Sequence, residues 1–332
     1  MLTDHNIKLA RNNGFYLEDY WVWGSSVVKG DNGLYHMFVS RWSKKLPFHP
    51  GWITDCEIAH AVSENACGPY RFSDVALGKR GAQYWDGQSC HNPKIVRYKN
   101  KYILYYMGST HPFEPLPESK KGDNFGKHCV ASRSNKRVGI AVADSPYGPW
   151  TRFDTPILPT KPNTFYSFLT SNPSPIIHSD GSVLLMFKAR AHEGDTHGNM
   201  SIGLAKADNY LGPYKVISDE PVFGPNKLGE IEDPSIWLDD SGYHMLAKDM
   251  SGKICGEHHA GILCHSDNGI DWRLDDHPLA YSKNITWDNG EKTTLGQMER
   301  AFPVISHEDC WDCQILFAKY SEGCILKNRY II

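Results

Sequence analysis

Carboxylate, amide and histidine side chains recur in this sequence just ahead of short apolar runs that contain proline. In chain order these groups are His91-Asn92, Ser171-Asn172, Glu232-Asp233 and Glu299-Arg300. Two carboxyl groups brought together could cleave a glycosidic bond, because one protonates the leaving oxygen while the other acts as base or nucleophile. The two groups lie roughly 5–5.5 Å apart when the configuration is retained and roughly 6.5–9.5 Å apart when it is inverted.

The candidate proton donors are Glu232 and Glu299, and the candidate bases are Asp86, Asp19 and Asp233. Neighbouring residues of a strand point to opposite faces, so Glu232 and Asp233 are not expected to share one site. If Glu232 faces the site, Asp233 supports the sheet, and the reverse arrangement is also open.

Asp86 is the preferred base, because Trp85-Asp86-Gly87 comes shortly before His91 and an indole is a natural platform for a sugar. The alternative for Asp86 is an ordinary Asp-Gly turn. Asp19, just before the first of the apolar runs, is the second candidate.

Further polar and aromatic residues at the same places are candidate substrate-binding groups. They are Trp23, Trp85, His91, Asn92, Asn172, Asp233, Arg300, Arg41, Lys188 and Lys248. A single histidine without a partner at ligand spacing favours hydrogen bonding over metal binding at His91, so no metal-binding residue is predicted. Arg300 either holds Glu299 or contacts an anionic sugar through its planar guanidinium. Several cations near one mouth favour a carboxylated or sulfated substrate, although most surface lysines are simply solvated.

Two kinds of strand–turn–strand segment alternate along the chain and must position these residues. Five copies of the first kind begin near residues 23, 91, 171, 232 and 302, and a second hairpin follows each of the first four. Two hairpins make a four-stranded antiparallel sheet, and radial repetition of such sheets is a β-propeller. The sequence therefore predicts an all-β fold, a single five-bladed β-propeller of four-stranded antiparallel blades over residues 1–332. The first strand of each blade is expected to line one axial funnel.

Two segments depart from the repeat. The fifth copy ends early, so residues 6–16 are expected to supply its missing outer strand. The segment 108–137 lengthens blade two, and it is expected to overhang the funnel or to reach a neighbouring subunit.

The composition of the 332 residues excludes several classes of protein. The formal net charge is −3, which offers no basic surface for nucleic acid, and no apolar window is long enough to span a membrane. The N-terminus lacks the pattern of a secretion signal, so a cytoplasmic location is expected. Nine scattered cysteines favour free thiols, and Cys310-Trp-Asp-Cys313 is interpreted as two ordinary cysteines rather than half of a zinc site. The oligomeric state is left open.

The Asn/Asp-Pro start of the first strands, the Asp-Gly turn and the tyrosine-rich second strand resemble the five-bladed propeller glycoside hydrolases of family 43. Families 32, 62 and 117 and the family 130 mannoside phosphorylases share this architecture. The resemblance implies a base Asp in the first blade, a tuning Asp in a middle blade and an acid Glu in a later blade, and Glu232 matches the acid. Trp23-Gly24-Ser25 and Asn172-Pro173 stand where the two aspartates are expected, so the base is not carried over. The resemblance also implies that an axial cation such as calcium can be present, and no other cofactor is expected.

The expected function is that of an exo-acting glycoside hydrolase, which removes a terminal sugar from an oligosaccharide or polysaccharide by carboxylate acid–base catalysis. Phosphorolysis is the alternative reaction, because Arg300, His91, Lys188 and Arg41 are of the types that hold inorganic phosphate. A non-catalytic carbohydrate-binding propeller is the third hypothesis.

Overall fold

The computed structural model describes residues 8–9, 14–114, 126–287, 289–304 and 314–318. These residues form many β-strands and two short helices, beginning with strand β1 (Lys8–Leu9). Of the described helices, neither has the length and apolar character needed to cross a membrane.

Four sheets of four antiparallel strands follow one another along the chain. Blade one comprises β2 (Tyr20–Lys29), β3 (Tyr35–Ser43), β4 (Glu57–Ser63) and β5 (Arg71–Leu77), with helix α1 (Phe48–Thr54) between β3 and β4. Blade two comprises β6 (Ser89–Tyr98), β7 (Lys101–Ser109), β8 (Arg137–Ala143) and β9 (Thr151–Arg152), with helix α2 (Gly126–Ser134) between β7 and β8.

Blades three and four repeat the same order of strands. Blade three comprises β10 (Leu169–Ile177), β11 (Val183–Arg190), β14 (Ser201–Ala207) and β15 (Lys215–Val216), and the small hairpin β12 (His192–Glu193)–β13 (Thr196–His197) lies between β11 and β14. Blade four comprises β16 (Ile231–Asp239), β17 (Gly242–Asp249), β18 (Gly261–Ser266) and β19 (Arg273–Tyr281). The first strands of the four blades, β2, β6, β10 and β16, begin within three residues of the predicted repeat starts.

The fifth repeat is present as a two-stranded antiparallel sheet. The last four strands are β20 (Asn284–Trp287), β21 (Lys292–Thr294), β22 (Glu299–Val304) and β23 (Gln314–Ala318), of which β22 pairs with β23. The first strands contact one another in the cyclic order β2, β6, β10, β16, β22 and back to β2. The β-propeller is therefore confirmed with four complete blades, and the outer strands of a fifth blade stay a prediction. Cys310 and Cys313 lie outside the described residues.

The described part of the N-terminal segment contacts two elements outside the sheet of β22 and β23, and its role as the outer strand of the fifth blade stays a prediction. Lys8 and Leu9 pair in parallel with β20 and not with β23. Gly14 exchanges backbone hydrogen bonds with Cys67 and Tyr70 at the edge of blade one. The described residues of the segment thus join β20 and the edge of blade one.

Glycine leaves room for aromatic side chains between strands. A Cβ at Gly139 of β8 would lie 2.3 Å from the indole of Trp85, and a Cβ at Gly203 of β14 would lie 2.8 Å from the ring of Phe165. The two aromatic residues occupy corresponding places in the loops that lead into β6 and β10. Trp85 also stacks on Tyr106 with ring centroids 5.6 Å apart. Trp85 is therefore part of the packing of blade two, and the expectation of an open sugar platform at this residue does not fit.

Each first strand carries a bulge at the same place. The bulge residues are Gly24, Asn92, Asn172, Asp233 and Arg300, with φ angles between 47° and 61°. The strand register shifts at each of these points. A bulge turns the side chains on its two sides in different directions. In each first strand, the side chain of the residue before the bulge therefore points in a different direction from the side chain of the bulge residue itself.

Candidate active site

The five bulge residues meet at the centre of the molecule and line one small cavity. Asn92 donates to Asn172 at 2.8 Å, and Asn172 donates to Asp233 at 2.5 Å. The guanidinium of Arg300 lies 3.5 Å from Asp233. At Gly24, a Cβ would lie 2.6 Å from Cδ of Arg300, so glycine gives this arginine its place. These residues form the floor of the funnel and bind one another.

The residue before a bulge contacts the second strand of the preceding blade. Side-chain hydrogen bonds join three such pairs, which are Ser40–His91, Lys188–Glu232 and Lys248–Glu299. The repeated geometry brings side chains from blades one to four and from β22 to one mouth. Four of the predicted site residues are in direct contact there: Lys188, Glu232, Lys248 and Glu299.

Glu232 carries negative charge between two lysines. It accepts a hydrogen bond from Lys188, and its second oxygen lies 3.1 Å from Nζ of Lys248. Burial would raise the pKa of Glu232, but the charges of Lys188 and Lys248 outweigh that effect and hold the pKa well below its usual range. The expectation that Glu232 donates a proton does not fit these surroundings, because they favour the ionised carboxylate.

Glu299 lies beside the same lysine in the opposite electrostatic setting. Lys248 donates to one oxygen of Glu299 at 2.5 Å, and the other oxygen is buried without a hydrogen-bond partner among the described residues. Burial raises the pKa of Glu299, and although Lys248 lowers it, the charges of Asp233 and Glu232 raise it further. Of the two glutamates, Glu299 is therefore the one whose surroundings favour the protonated form.

Lys248 fixes the separation of the two carboxyl groups. Its Nζ lies 2.5 Å from an oxygen of Glu299 and 3.1 Å from an oxygen of Glu232, so these two oxygens are at most 5.6 Å apart. The limit applies to the two oxygens nearest Lys248, and it is compatible with the roughly 5–5.5 Å between the carboxyl groups of a retaining pair.

His91 is buried among indole rings. Its ring centroid lies 5.2 Å from that of Trp23 and 5.6 Å from that of Trp52. Burial and the nearby charges of Arg300 and Lys136 keep the pKa of His91 well below its usual range. Calcium takes several oxygen ligands, which the rings and the positive charges around His91 do not supply, and the axial calcium that the resemblance implies stays a prediction.

Two cations of this mouth come from the lengthened segment of blade two. Lys136 is 4% exposed, and its Nζ lies 4.4 Å from the ring centroid of Trp52 in α1. The guanidinium of Arg133, at the end of α2, lies 6.0 Å from the same ring. The described part of residues 108–137 thus reaches the funnel, as expected, although part of it is helical. The repeat gives no signal for Trp52, Arg133 or Lys136, because the connections between the second and third strands of blades one and two lie outside it.

Asp86 lies in a different part of the molecule. Its carboxylate has no exposed surface and accepts hydrogen bonds from Arg80 at 2.7 Å, from Arg152 at 2.6 Å and from Tyr106 at 2.6 Å. These partners satisfy both oxygens and tie the loop before β6 to blade two. The expectation that Asp86 is the base does not fit, since no substrate can reach it there.

Asp19 and Arg41 also lie apart from the two glutamates. Asp19 is exposed before β2, where its backbone oxygen accepts a hydrogen bond from Lys44. Ser40, and not Arg41, occupies the place in β3 that Lys188 occupies in β11. Arg41 therefore points to the opposite face, where its Nε donates to Glu57 at 2.8 Å. The expectation that Arg41 stands in the same place as Lys188 is wrong.

Several cysteines of the described chain are free thiols: Cys56, Cys90, Cys129, Cys255 and Cys264. This agrees with the expectation from their scattered spacing. In the described ranges, no group of three or more His, Cys, Asp or Glu side chains is arranged to hold a metal ion.

Known structures resemble this arrangement of blades over most of its length. A family 117 glycoside hydrolase from the marine bacterium Zobellia galactanivorans is 21% identical and has a TM-score of 0.63, covering 87% of this chain and 80% of its own. A thermostable family-43 glycoside hydrolase is 12% identical with a TM-score of 0.61, covering 94% and 87%. The fold is that of the propeller glycoside hydrolases.

The similarity is carried by structure more than by sequence. Another structure, described as a glycoside hydrolase, is 14% identical with a TM-score of 0.68 over 97% of this chain and 90% of its own. No protein-family model matches the sequence, and no curated protein matches it either. At such identities the similarity establishes the fold, and the activity has to be argued from the side chains.

Proposed function

We propose that the protein is a glycoside hydrolase in which Glu232 acts as the nucleophile and Glu299 as the proton donor. One observation carries the proposal: Lys248 contacts both carboxyl groups, whose pKa values shift in opposite directions. A pair of titratable groups with pKa values pushed apart supports an assignment of base and acid. The likeness to glycoside hydrolases of the same fold agrees with this reaction class.

The proposed reaction proceeds in two displacements. Glu299 gives its proton to the glycosidic oxygen while the carboxylate of Glu232 attacks the anomeric carbon, so the bond to the leaving group breaks and a glycosyl ester forms. Glu299, now ionised, then removes a proton from water, which attacks the same carbon and releases the sugar and Glu232. The limit of 5.6 Å between the two oxygens nearest Lys248 is compatible with this retaining course.

Exo-action is part of the proposal. The hydrogen-bonded row of Asn92, Asn172 and Asp233 in the floor of the funnel supports a pocket that ends at its base. Such a pocket suits the end of an oligosaccharide or polysaccharide chain better than its middle.

The test is the cleavage of a panel of aryl glycosides and oligosaccharides by three variants. We expect Glu232→Gln and Glu299→Gln to lower kcat/KM by about 10³-fold or more on substrates with poor leaving groups. The control Asp208→Asn, which removes an exposed carboxylate after β14, is expected to leave kcat/KM unchanged. Full activity of either glutamine variant contradicts the assignment of that residue.

Phosphorolysis is the second candidate, favoured by the cations Lys136 and Arg133 beside the glutamates. A phosphorylase would release a sugar phosphate in proportion to added inorganic phosphate, whereas the hydrolase releases free sugar at the same rate with and without phosphate. Analysis of the products by ³¹P nuclear magnetic resonance distinguishes the two reactions.

A further inference from the structure

The mouth of the funnel contains more positive than negative side chains. The cations are Arg133, Lys136, Lys188, Arg190, Lys248 and Arg300, and the carboxylates are Glu230, Glu232, Asp233 and Glu299. Among the described residues, no carboxylate lies within 4.0 Å of Lys136 or Arg133. Part of the excess positive charge is therefore located at these two residues.

Lys136 is held in place without a counter-charge. Its backbone oxygen accepts hydrogen bonds from Thr170 of β10 and from the side chain of Arg137, and its backbone nitrogen donates to Arg133. The residue is thus fixed between blades two and three, with its ammonium over the face of Trp52. Burial and the charges of Lys188 and Arg133 lower the pKa of Lys136 well below its usual range, which a bound anion would reverse.

The surroundings of Lys136 match the requirements of an anionic sugar. An arginine fork and a lysine ammonium are the side chains that bind carboxylate and sulfate groups in proteins. The ring of Trp52, half-buried beside them, offers an apolar face to the C–H side of a sugar ring. Glu232 is close enough to Lys136 to act on its charge, so a sugar held here is near the proposed nucleophile.

We propose that Arg133, Lys136 and Trp52 form a subsite for a sugar that carries a carboxylate or a sulfate group. The sugar is the substrate unit beside the bond that Glu232 and Glu299 cleave, and in that respect the inference rests on the proposed function. The binding of the anionic group depends on the cluster itself and is measured without any cleavage.

The test compares the affinities of anionic sugars and of their neutral parents by calorimetry at low ionic strength. The probes are glucuronate, galacturonate and galactose 6-sulfate, set against glucose and galactose, and inorganic phosphate is titrated separately. We expect at least one anionic sugar to bind about tenfold or more tightly than its parent, since hydrogen bonds to charged groups are stronger than those between neutral groups. If galacturonate is the preferred ligand, the recognised group is a carboxylate. If galactose 6-sulfate is preferred, the recognised group is a sulfate.

Variants of the cluster show which side chains cause the preference for an anionic sugar. Lys136→Met is expected to remove it, and Arg133→Gln, at a half-buried residue, is expected to weaken it even if Lys136→Met does not fold. Lys206→Met removes an exposed lysine of β14 and is expected to keep the full preference.

Three results overturn the subsite. They are the absence of any preference for an anionic sugar, a preference that is unchanged in both Lys136→Met and Arg133→Gln, and binding of inorganic phosphate at the cluster without binding of an anionic sugar. The last result instead favours phosphorolysis. If the preference is present while Glu232→Gln cleaves as the wild type does, the assignment of the nucleophile fails and the subsite stands.

Discussion

Position relative to the bulge decides what a side chain of a first strand contacts. Glu232 and Asp233 are neighbours in sequence and carry the same functional group. Glu232, before the bulge, lies between Lys188 and Lys248 at the mouth, whereas Asp233, on the bulge, accepts a hydrogen bond from Asn172 in the floor. The alternation of a strand predicts that the two diverge, but their partners lie in other blades and are not visible in the local sequence.

Lys248 is expected to be essential to stability. Its ammonium is 2% exposed and contacts Glu232 and Glu299, so Lys248→Met leaves the buried negative charge of Glu232 beside one lysine, Lys188, instead of two. We expect the free energy of unfolding to fall by about 3–5 kcal/mol, as when one member of a buried ion pair is removed. Urea denaturation measures the change, and a loss no greater than that of Lys206→Met contradicts it.

The pH dependence of kcat/KM follows from the opposite shifts of the two glutamates. Activity requires protonated Glu299 and ionised Glu232, so it falls as pH rises through the raised pKa of Glu299 and as pH falls through the lowered pKa of Glu232. In Glu299→Gln, assayed on a substrate with a good leaving group, the alkaline limb is expected to disappear while the acid limb stays. An alkaline limb that remains in the variant assigns it to another residue.

The repeated bulge is the element that builds the site, and Gly24 shows its steric requirement. This residue has a φ of 60°, and a Cβ would meet the side chain of Arg300 at 2.6 Å. Gly33, with a φ of 78°, has open space around it and provides a matched control for backbone strain alone.

Gly24→Ala is expected to lower the free energy of unfolding by about 1–3 kcal/mol, because it combines a left-handed backbone with displacement of Arg300. Gly33→Ala is expected to lose about 1 kcal/mol from the backbone alone. Chemical denaturation of both variants gives the difference. Equal losses of unfolding free energy in the two variants would mean that the displacement of Arg300 costs no free energy.

The repeat makes the strands predictable and leaves much of the site unpredictable. Turn residues and alternating apolar residues fixed the starts of β2, β6, β10, β16 and β22 to within a few residues, because these features are local. The environment of Asp86 is not local, since Arg152 comes from a strand 66 residues further along the chain. Lys136 and Trp52 lie in the connections between the second and third strands of their blades. These connections differ from blade to blade, so the repeat gives no signal for the two residues.

At the scale of the whole molecule, hydrogen-bonded histidines tie together the outer strands of two blades. In blade one, His36 of β3 lies 2.9 Å from His60 of β4, which lies 2.9 Å from Asp74 of β5. Blade four repeats the arrangement as His244, His265 and Asp275 in β17, β18 and β19. The recurrence shows that the blades share more than their backbone geometry.

The histidines of blade one make the fold sensitive to acid. Burial and the charge of His60 lower the pKa of His36 to about 4, and burial also lowers the pKa of His60. A histidine that is neutral when folded contributes stability above its unfolded pKa of about 6.5 and loses it as pH falls toward the folded value. We expect a loss of about 1–3 kcal/mol between these limits.

Urea denaturation across this range checks the expectation with two variants. His36→Gln, which cannot be protonated, is expected to show a smaller fall in stability with acid than the wild type. The exposed His192→Gln is expected to show the full fall. The same fall in all three proteins would assign the acid sensitivity to other groups.

The assignment of Glu232 as nucleophile and Glu299 as proton donor is tested most directly by chemical rescue with azide. Removal of a nucleophile makes room for a small anion, so azide should restore cleavage of an aryl glycoside by Glu232→Ala and yield a glycosyl azide of inverted configuration. With Glu299→Ala, azide should act in the second displacement and yield a glycosyl azide of retained configuration. Cleavage by Glu232→Ala at the wild-type rate, or no restoration of cleavage by azide, would contradict the account.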